Sequence, residues 1–381
     1  MKILHTSDWH LGITFNGVNI TSDQEFFINQ ICEILENEEI DALIIAGDVF
    51  DKSVASYIAL ELYDRAVTRI CGEMKVPTFI VAGNHDGASR LASCSNLLEK
   101  TGLYITGSLK ENIKPVSFLD ADIYMLPWFT LERVKAIYPN ESQNLNSLED
   151  GYELVCNKIR ERMDRSKKNI LVSHSYIIKA ETAGSDKAAQ VGTATAIGSS
   201  VFRDFDYVAL GHIHKAQDIT KNIRYSGTPM AYSFGNEEKQ EKSVTIIDTE
   251  DLSKTIIPLE TLHERMTIKG TYEEILNERE YTKRQQDAYL RVEIEDAVMG
   301  LDLIARLREK FPNLLEAAGK SFEVEGATQT MTIEELEKND QNPMEIFIRY
   351  CQDNIKETPD EHLLELFQEA IEEYEIEWSR V

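Results

Sequence analysis

Five short apolar runs, each rich in β-branched residues, impose the strongest constraint on how this 381-residue chain can fold. They cover residues 3–4, 42–46, 78–82, 170–172 and 207–210. Runs of this kind predict strands whose two faces are both buried. Amphipathic helical patterns, such as those at residues 25–36 and 57–70, lie between the first three runs. This alternation of strand and helix predicts an α/β fold with a largely parallel sheet.

A polar motif directly follows each run, and its side chains are of types that bind metal ions. The motifs hold five of the eight histidines, and they are Asp8-Trp9-His10, Gly47-Asp48, Gly83-Asn84-His85-Asp86, Ser173-His174 and Gly211-His212-Ile213-His214. Any one of these motifs, taken alone, more often has a structural role. Five of them in this order are an improbable coincidence, and together they support a metal site. Because ligands of α/β folds collect at the carboxyl ends of the strands, we expect the motifs to meet at one edge of the sheet.

The motifs predict a site for two divalent metal ions. Asp8 and His10, two residues apart after a strand, can turn toward one ion, and the Asp48 carboxylate can bridge two. Asn84 adds an amide oxygen, and the other candidate ligands are His174, His212 and His214. Mixed imidazole and oxygen ligands fit Mn²⁺, Fe²⁺ or Zn²⁺ better than Mg²⁺. Paired ions clamp the attacking and leaving oxygens, so the pattern indicates hydrolysis of a phosphate ester.

Three further side chains near the predicted ligands are candidates for other roles. His85 follows a predicted ligand, and we expect it to face the scissile phosphate and to protonate or hydrogen-bond the leaving oxygen. The alternative is that His85 only contacts a backbone carbonyl. Asp51 and Asp86 could be carboxylates that hydrogen-bond to site residues without binding metal, and Asp51 in that role would orient His85. Alternatively, both aspartates could cap helices. His5, inside the first strand, is interpreted as a core residue.

Composition and cysteine usage narrow the class of protein. The formal net charge is −26, and residues 331–381 are the most acidic segment, with 15 acidic and 4 basic side chains. An acidic tail is typical of a solvated or partner-binding surface. Five scattered cysteines, with no C-x-x-C pair, favour a reducing compartment. The N-terminus has no apolar signal region and no apolar run reaches membrane-spanning length, so we expect a cytoplasmic protein.

The pattern of predicted elements changes after residue 260. We predict that residues 1–260 form the domain that carries the motifs, and that residues 262–328 form a smaller β-α-β-α domain. Its expected elements are residues 265–268, 272–277, 289–294 and 301–311. Residues 329–381 are expected to be an acidic linker followed by helices, one of them with an apolar stripe made of Leu363, Phe367, Ala370 and Tyr374. Such helices could cover the preceding domain or bind a partner helix.

The order of the motifs resembles that of the calcineurin-like metallophosphoesterase superfamily, which reads D-x-H, G-D, G-N-H-D, H and G-H-x-H. The resemblance covers roughly the first 235 residues and implies a β-sandwich flanked by helices. Within the superfamily, residues 5–12 and 46–51 are similar to the SbcD family of nuclease subunits, as are residues 225–229 and 233–234. Members of that family work with SbcC, an ATPase of the SMC type.

The superfamily resemblance implies a set of ligands for each of two divalent ions. The first ion would be bound by Asp8, His10, Asp48 and His214. The second would be bound by Asp48, Asn84, His174 and His212. His85 would be the catalytic histidine, and Mn²⁺ is the expected metal.

The resemblance to SbcD also implies a substrate and an assembly. The expected activity is hydrolysis of DNA, as a 3′–5′ exonuclease on duplex ends and an endonuclease at hairpins and single strands, gated by SbcC in DNA repair, recombination and replication. Residues 1–260 would be the nuclease domain, residues 262–328 a DNA-contacting capping domain, and residues 329–381 a region that docks on SbcC. A homodimer bound to two SbcC subunits is the expected assembly. It could supply much of the basic surface that DNA binding requires.

The sequence departs from the motifs of two groups of relatives, and each departure limits which residue roles can be transferred to this chain. Archaeal relatives have a second histidine in the loop after Gly-Asp, where this chain has Asp51-Lys52, so the role of that histidine does not transfer. Protein phosphatases of the superfamily read G-D-x-x-D-R-G here, whereas Asp51 is followed by Lys52-Ser53. The phosphate-binding arginine and the glycine of the phosphatases are therefore missing from this sequence.

Two other functions compete with the DNA nuclease. A phosphoesterase of the same superfamily that acts on small molecules or phosphoproteins would use the same site, but it would have no need of the segments after residue 260. A non-catalytic scaffold, whose ions only hold loops together, would not require His85 and a complete set of ligands. Mn²⁺-dependent hydrolysis of DNA and of nitrophenyl phosphate esters distinguishes the three.

Overall fold

The chain divides into two compact units. The computed structural model describes residues 1–186, 196–297, 300–320, 328–332, 363–364 and 366–367. The first unit consists of residues 1–267 and 287–289, and the second consists of residues 268–286 and the chain from Leu290 onward. Each unit is built around its own sheet or sheets, and the domain bounds expected from the sequence remain predictions.

Strands account for most of the regular structure. Within the described ranges the strands are, in chain order, β1 (Lys2–Thr6), β2 (Thr14–Phe15), β3 (Val18–Asn19), β4 (Ala42–Ala46), β5 (Thr78–Val81), β6 (Leu103–Thr106), β7 (Val116–Phe118), β8 (Ala121–Leu126), β9 (Lys168–His174), β10 (Tyr176–Ile177), β11 (Ala196–Ile197), β12 (Tyr207–Gly211), β13 (Gln217–Thr220), β14 (Ile223–Tyr225), β15 (Ser243–Asp248), β16 (Lys254–Pro258), β17 (Arg265–Gly270), β18 (Tyr289–Ile294), β19 (Leu314–Lys320) and β20 (Thr328–Thr332). The α-helices of the same ranges are α1 (Thr21–Asn37), α2 (Tyr57–Val67), α3 (Ala88–Leu91), α4 (Ser95–Leu98), α5 (Leu131–Ile137), α6 (Leu148–Arg160), α7 (Lys283–Asp287) and α8 (Leu301–Lys310). Short 3-10 helices cover Glu99–Thr101, Ser199–Phe202 and Glu237–Lys239, and π-helical turns cover Thr68–Glu73 and Glu274–Glu278.

Two six-stranded sheets form the framework of the first unit. Their strand orders are β16-β15-β1-β4-β5-β6 and β13-β14-β12-β9-β8-β7. The strands β1, β4, β5 and β6 are parallel, and so are β8, β9, β12 and β14. In the first sheet β15 is antiparallel to both β1 and β16, and in the second sheet β13 is antiparallel to β14 and β7 is antiparallel to β8. All five predicted strands are therefore present. The single sheet expected from the alternation is divided in two, which confirms the β-sandwich that the superfamily resemblance implied.

The interior of the sandwich is apolar and lies between the two sheets. Side chains alternate along each strand, so one set from each sheet points into this layer. The first sheet contributes Ile3, Ala42, Ile44, Ala46, Phe79 and Val81. The second contributes Ala121, Ile123, Met125, Ile170, Val172, Tyr207 and Ala209. The other faces of the central strands are also buried, which explains why these strands read as continuous apolar runs.

Helices cover the outer faces of the sheets. In one core cluster, Tyr152, Val155 and Ile159 of α6 pack with Leu171 of β9 and Val208 of β12. Ser147 and Asp150 form a capping box at the start of α6, in which each side chain binds the backbone N–H of the other residue. The predicted helices at residues 25–36 and 57–70 are confirmed as α1 and α2, and Thr68–Glu73 continues the second.

His5 is a buried polar residue of the sandwich. Its Nδ1 accepts a hydrogen bond from the Tyr207 hydroxyl at 2.9 Å, and its Nε2 donates to the Leu210 carbonyl at 3.2 Å. Burial, with help from the nearby Arg224 guanidinium, lowers the pKa of His5 to about 3. His5 is therefore a neutral histidine whose two ring nitrogens are both satisfied, in agreement with its interpretation as a core residue.

The second unit contains a four-stranded sheet in the order β17-β18-β19-β20. The strands β18 and β19 are parallel and are joined by α8, while β19 and β20 are antiparallel. Ile304 and Leu307 of α8 and Phe311 after it are buried. The predicted strands and the predicted second helix are present, and Glu274–Glu278 overlaps the predicted first helix. The strands β19 and β20 were not predicted, and residues 329–332 of β20 fall in the segment for which an acidic linker was expected.

The remaining described residues belong to the C-terminal segment. Residues 363–364 and 366–367 are helical. The rest of the predicted helical region, including Ala370 and Tyr374 of its stripe, lies outside the described residues. Among the described residues, no helix is both long and apolar enough to cross a lipid bilayer.

Candidate metal centre

The five motifs converge at one end of the sandwich. The strands β1, β4 and β5 of the first sheet and β9 and β12 of the second end beside a cleft. Residues that line the cleft include His10, Asp48, Asp51, His85, His212 and His214, with Ile13, Ser185, Asp186 and Tyr232. The predicted meeting point at the carboxyl ends of the strands therefore exists, but two sheets form it together.

Three predicted ligands form a first group. Nε2 of His10 lies 3.2 Å from Nε2 of His214, and it lies 3.9 Å from Oδ2 of Asp48. Asp8, His10 and His214 each offer one ligand atom within 4.8 Å of the others. Two atoms that bind one ion at about 2.1 Å and near-tetrahedral or octahedral angles lie about 3.0–3.4 Å apart. The two imidazoles are thus spaced as ligands of a single ion would be.

A second group surrounds the Asn84 amide oxygen. Oδ1 of Asn84 lies 2.9 Å from Nε2 of His174 and 2.9 Å from Nδ1 of His212. Those two imidazole nitrogens lie 3.2 Å apart. The distance between the imidazole nitrogens lies within the ligand spacing given above, and the two distances to Oδ1 of Asn84 lie just below it. An amide oxygen and imidazole nitrogens suit Mn²⁺ or Zn²⁺.

Asp48 lies between the two groups. Its Oδ2 is 3.3 Å from Nε2 of His174 in the second group, as well as 3.9 Å from His10 in the first. Its Oδ1 accepts a hydrogen bond from the backbone N–H of His85 at 2.8 Å. One carboxylate that reaches both groups is the arrangement required for a ligand shared by two ions.

Hydrogen bonds orient two of the candidate ligands. Nδ1 of His174 donates to the Ala46 carbonyl oxygen at 2.9 Å, which directs Nε2 toward Asp48 and Asn84. The backbone N–H of His212 donates to both carboxylate oxygens of Asp8, at 3.0 and 3.2 Å. The Ala46 carbonyl thus holds the His174 imidazole in one tautomer and one orientation, and the His212 N–H holds the Asp8 carboxylate in place.

The backbone at the candidate ligands is unusual. Asp8, His10, Asp48 and His212 have φ angles of 53°, 43°, 47° and 100°, in the left-handed region that non-glycine residues seldom adopt. Each such residue costs on the order of 1–3 kcal/mol and persists only where its surroundings hold it. Backbone hydrogen bonds from Asp8 to Gly47 and from His10 to Asp48, both 3.0 Å, supply part of that restraint.

Charges within the site are strongly coupled to one another. Burial, reinforced by the Asp48 carboxylate, raises the pKa of Asp8 to about 8. Burial opposes the ionised form of Asp48, but the imidazoles of His174 and His10 outweigh it and hold the pKa of Asp48 low. Burial likewise opposes protonation of His174, yet the Asp48 carboxylate raises the pKa of His174 to about 9. The site therefore holds positive charge beside Asp48, where a cation would also be favoured.

His10 and His214 are neutral at physiological pH. Burial is the largest effect on both, and it lowers the pKa of His10 to about 4 and the pKa of His214 well below its ordinary value. A histidine must be unprotonated at the nitrogen that binds a metal ion. Both histidines of the first group therefore meet the requirement for metal binding.

Two glycines allow the motifs to approach each other. Gly47 has a φ of +91°, and a Cβ added there would overlap the imidazole of His174. A Cβ added at Gly83 would overlap both the carboxylate Oδ1 and the backbone nitrogen of Asp48. These glycines are required because the loops after β4, β5 and β9 touch directly.

Replacing Gly83 with alanine is expected to lower Mn²⁺ affinity by at least about tenfold, because the added methyl group displaces the Asp48 carboxylate that both ligand groups share. Isothermal titration with Mn²⁺ measures the effect. Gly72→Ala is the matched control, since the nearest atom to its added Cβ is Thr68 Cγ2 at 3.8 Å. Equal Mn²⁺ affinities for the two variants would contradict the prediction.

His85 lies at the cleft, next to the first ligand group. Its Nδ1 donates to the Asp51 carbonyl oxygen at 2.8 Å, and its ring centroid is 4.9 Å from that of His10. The contact with a backbone carbonyl, which was the structural alternative, is therefore present. It also selects the tautomer in which Nε2 is the atom that would exchange a proton with a substrate. The catalytic role of His85 stays a prediction.

Asp51 and Asp86 contact the site in different ways. The Asp51 carbonyl accepts a hydrogen bond from Nδ1 of His85, while Oδ1 of Asp51 lies 3.8 Å from Nδ1 of His10. Asp86 accepts hydrogen bonds from the backbone N–H groups of Gly83, Val49 and Phe50 at 2.9, 3.2 and 2.9 Å. Asp86 thus joins the loops after β4 and β5. The N-cap of α2 is Ser56 and that of α3 is Gly87, so neither aspartate caps these helices.

The sequence did not point to three residues that contact His214 or line the cleft beside it. Oγ of Ser185 lies 2.6 Å from Nδ1 of His214, and Oδ1 of Asp186 accepts its backbone N–H at 3.0 Å. Tyr232 lines the cleft with its ring centroid 5.7 Å from that of His10. None of the three ends an apolar run, which is the signal that marked the other site residues.

Comparison with protein families identifies the chain. The model of the calcineurin-like phosphoesterase family matches residues 1–216, which include every predicted metal ligand. A Staphylococcus epidermidis protein described as the SbcD subunit of the nuclease SbcCD is 31% identical over 379 residues, covering 97% of each chain. The chain belongs to the SbcD family of calcineurin-like phosphoesterases. Members of the calcineurin-like family are hydrolases that use divalent metal ions, and the clustered ligands described above are consistent with that class.

The part of this SbcD-family chain after residue 260 matches a second family. The model described as the type 5 capsule protein repressor C-terminal domain covers residues 262–354. Two solved structures, the phosphoesterase Yfce from E. coli and the hypothetical protein PH1004 from Pyrococcus horikoshii, are each 12% identical and cover 68% of this chain. The alignments cover 100% and 88% of those chains, with TM-scores of 0.25 and 0.31. Similarity at this level carries no argument about function.

Proposed function

We propose that the chain is the nuclease subunit of an SbcCD-type complex and hydrolyses DNA phosphodiester bonds with two divalent metal ions. The observation that carries the proposal is the pair of ligand groups that share Asp48. The similarity to an SbcD protein along 97% of the chain supports DNA, and not a small molecule, as the substrate. The cytoplasm is the proposed location, because five scattered cysteines without a C-x-x-C pair favour a reducing compartment.

The proposed ligand sets follow the two groups of side chains. Asp8, His10, Asp48 and His214 would bind the first ion, and Asp48, Asn84, His174 and His212 would bind the second. Mn²⁺ is the proposed metal, since its ligand preferences accommodate imidazole and oxygen donors together. When bound, the ions would supply Lewis acidity and make water a better nucleophile. Asp51 and Asp86 would hold the loops that carry His85 and the shared aspartate.

His85 is proposed to act on the leaving oxygen of the scissile phosphate. Its backbone N–H is held by Asp48 at 2.8 Å and its Nδ1 by the Asp51 carbonyl at 2.8 Å, so the ring has little freedom to turn. In the imidazolium form Nε2 also carries a proton, and it would donate that proton, or a hydrogen bond, to the 3′ oxygen as the ester bond breaks. A group fixed in this way loses little entropy when substrate binds, which favours its use as a general acid.

The later parts of the chain are proposed to bind DNA and a partner. Residues 262–328 would be a capping domain that contacts DNA, and residues 329–381 would dock on the ATPase SbcC. The match of residues 262–354 to a separate family model supports a distinct role for this region. With SbcC, the proposed activities are 3′–5′ exonuclease action on duplex ends and endonuclease action at hairpins, in DNA repair, recombination and replication.

A homodimer within a heterotetramer is the proposed assembly. Three apolar side chains at or near the start of α2 are exposed to a degree unusual for their type: Val54 by 65%, Tyr57 by 77% and Leu60 by 49%. Clustered exposed apolar side chains are typical of protein interfaces. A second copy of this chain is the proposed occupant of that surface.

The experiment that tests the proposal compares Mn²⁺-dependent hydrolysis of labelled duplex DNA, labelled hairpin DNA and nitrophenyl phosphate esters. Each reaction is run with the chain alone and with SbcC and ATP. Cleavage of DNA, increased by SbcC and ATP, is the expected result. Hydrolysis of the nitrophenyl esters without cleavage of DNA would favour a small-molecule phosphoesterase. Two bound ions with no hydrolysis of any substrate would favour a non-catalytic scaffold.

A further inference from the structure

A partly exposed tryptophan follows the carboxyl end of β8. Pro127 ends that strand because it has no backbone N–H, and the N–H of Trp128 donates to the Ala82 carbonyl at 2.9 Å. Ala82 is two residues before Asn84, so this bond holds Trp128 beside the loop that carries a candidate ligand. The Trp128 side chain is 37% exposed, whereas Trp9, the other tryptophan among the described residues, is fully buried.

A second aromatic side chain follows the neighbouring strand. The strands β8 and β9 are parallel, with Leu126 opposite Ser173, and adjacent strands lie about 4.8 Å apart. Trp128 and Tyr176 each come two positions after the last residue of their strand, so the two chains leave the sheet side by side. The Tyr176 ring is half-buried, and its centroid lies 6.4 Å from that of His212 in the second ligand group. Both aromatic residues therefore lie at the end of the sandwich where the motifs meet.

The backbone on either side of these two residues is held in place. The Tyr225 hydroxyl hydrogen-bonds to the backbone of both residues that flank Tyr176, at 2.6 and 2.9 Å. Phe129, the residue after Trp128, is buried, and its ring stacks on that of Tyr152 with the centroids 4.2 Å apart. An aromatic side chain on a fixed backbone loses little conformational entropy when it binds a flat partner.

The nucleobase is the flat partner that suits this position. A single exposed aromatic residue is common on protein surfaces, but here two lie on adjacent strands beside a candidate metal centre. Every base has a π-face, so stacking on aromatic side chains does not depend on sequence. A chain with a net charge of −26 also gains little from phosphate contacts, which usually dominate DNA affinity. Stacking would supply affinity that does not require a basic surface.

We propose that Trp128 and Tyr176 form an aromatic platform that stacks unpaired bases of a DNA strand whose phosphate lies at the metal centre. The proposal rests on the proposed function in so far as DNA is the substrate. Bases of a hairpin loop or of a frayed end are free to stack, whereas bases of an intact duplex must first leave their partners. The platform would therefore determine substrate preference and take no part in breaking the ester bond.

Trp128→Ala is expected to raise the KM for a hairpin with an unpaired loop by about 5–150-fold, the range found when a residue that stacks one base is truncated, with kcat unchanged. A hairpin of the same length with abasic loop positions should be cleaved equally by the wild type and the variant, because no base is left to stack. Trp128→Phe keeps a ring and should restore most of the lost affinity, and Tyr176→Leu should show the same dependence on the base. Leu119→Ala is the matched control, since Leu119 is 66% exposed at the opposite end of β8, and it should leave KM unchanged.

Tryptophan fluorescence tests the platform without hydrolysis. In the metal-free chain at low salt, a strand of thymidine nucleotides should quench the emission of Trp128, and an abasic strand of the same length should not. Trp128→Phe assigns the signal, because Trp9 and Trp378 remain in that variant. Quenching that does not depend on bases, or an equal loss of cleavage on both hairpins, would overturn the platform. Base-dependent quenching in a wild-type chain that cleaves no DNA, even with SbcC and ATP, would overturn the proposed function and leave the platform supported.

Discussion

Replacing Asp48 with asparagine is expected to abolish Mn²⁺-dependent DNA cleavage and to remove both metal ions. Asp48 Oδ2 lies 3.9 Å from Nε2 of His10 and 3.3 Å from Nε2 of His174, one in each ligand group. The amide keeps the shape of the side chain but removes the negative charge that two cations would share. Removing a side chain that only hydrogen-bonds to a metal ligand lowers metal affinity by about 10–100-fold. Removing a ligand shared by two ions should therefore lower Mn²⁺ affinity by more than about 100-fold.

The measurements for Asp48→Asn are Mn²⁺ content after desalting and the rate of cleavage of labelled hairpin DNA. Asp122→Asn is the matched control, because Asp122 is an equally buried aspartate whose Oδ1 binds Lys167 Nζ at 2.9 Å and not a histidine. The control should keep both ions and its activity. Two ions retained by Asp48→Asn would show that Asp48 is not the shared ligand.

Replacing His85 with alanine is expected to lower the turnover of DNA by about 10²–10⁴-fold, the range that general acid–base groups contribute, while both metal ions are retained. The substitution keeps the backbone N–H that donates to Asp48 Oδ1 at 2.8 Å, so the shared carboxylate stays in place. What is lost is the imidazole beside the His10 ring, whose imidazolium form would donate the Nε2 proton to the leaving oxygen under the proposed mechanism. Turnover at saturating DNA and Mn²⁺ content are the two measurements.

A second histidine in the same unit provides the control for His85→Ala. His263 is also partly exposed, and its Nδ1 lies 3.0 Å from Oδ2 of Asp23, which is not a predicted ligand. His263→Ala should leave turnover within a factor of about two, because it touches none of the proposed ligands. Loss of metal from His85→Ala would instead identify His85 as a ligand, and normal turnover would remove it from the mechanism.

The strands and helices around the site were predictable because their signals are local. The run at residues 42–46 is β4 in the structure, and the patterns at residues 25–36 and 57–70 lie within or extend α1 and α2. In each case the apolar side chains of the pattern are those that the fold buries. The strand β19 was not predicted, since its sequence, Leu-Leu-Glu-Ala-Ala-Gly-Lys, is rich in helix-forming residues. Its pairing with β18 and β20 overrides that preference.

The contacts that orient the ligands were not predictable in the same way. Ser185 and Asp186 lie in a loop after β10, and neither follows an apolar run. Serine and aspartate in loops are ordinary surface residues by composition. Only the folded chain shows that Ser185 Oγ lies 2.6 Å from Nδ1 of His214 and that Asp186 accepts the backbone N–H of His214.

The sequence by itself determined the chemistry of the candidate site. Each motif lies at or just after the carboxyl end of its strand, so residue type, spacing and the rule for the carboxyl ends of strands together specified which side chains would meet. Only the tertiary structure decided how they meet: two sheets, and not one, bring the motifs together, and Asp48 lies between two groups of ligands. The physical reason is that a local pattern sets the direction of a side chain within its own strand. The distance between atoms on different sheets depends on the packing of the whole sandwich core.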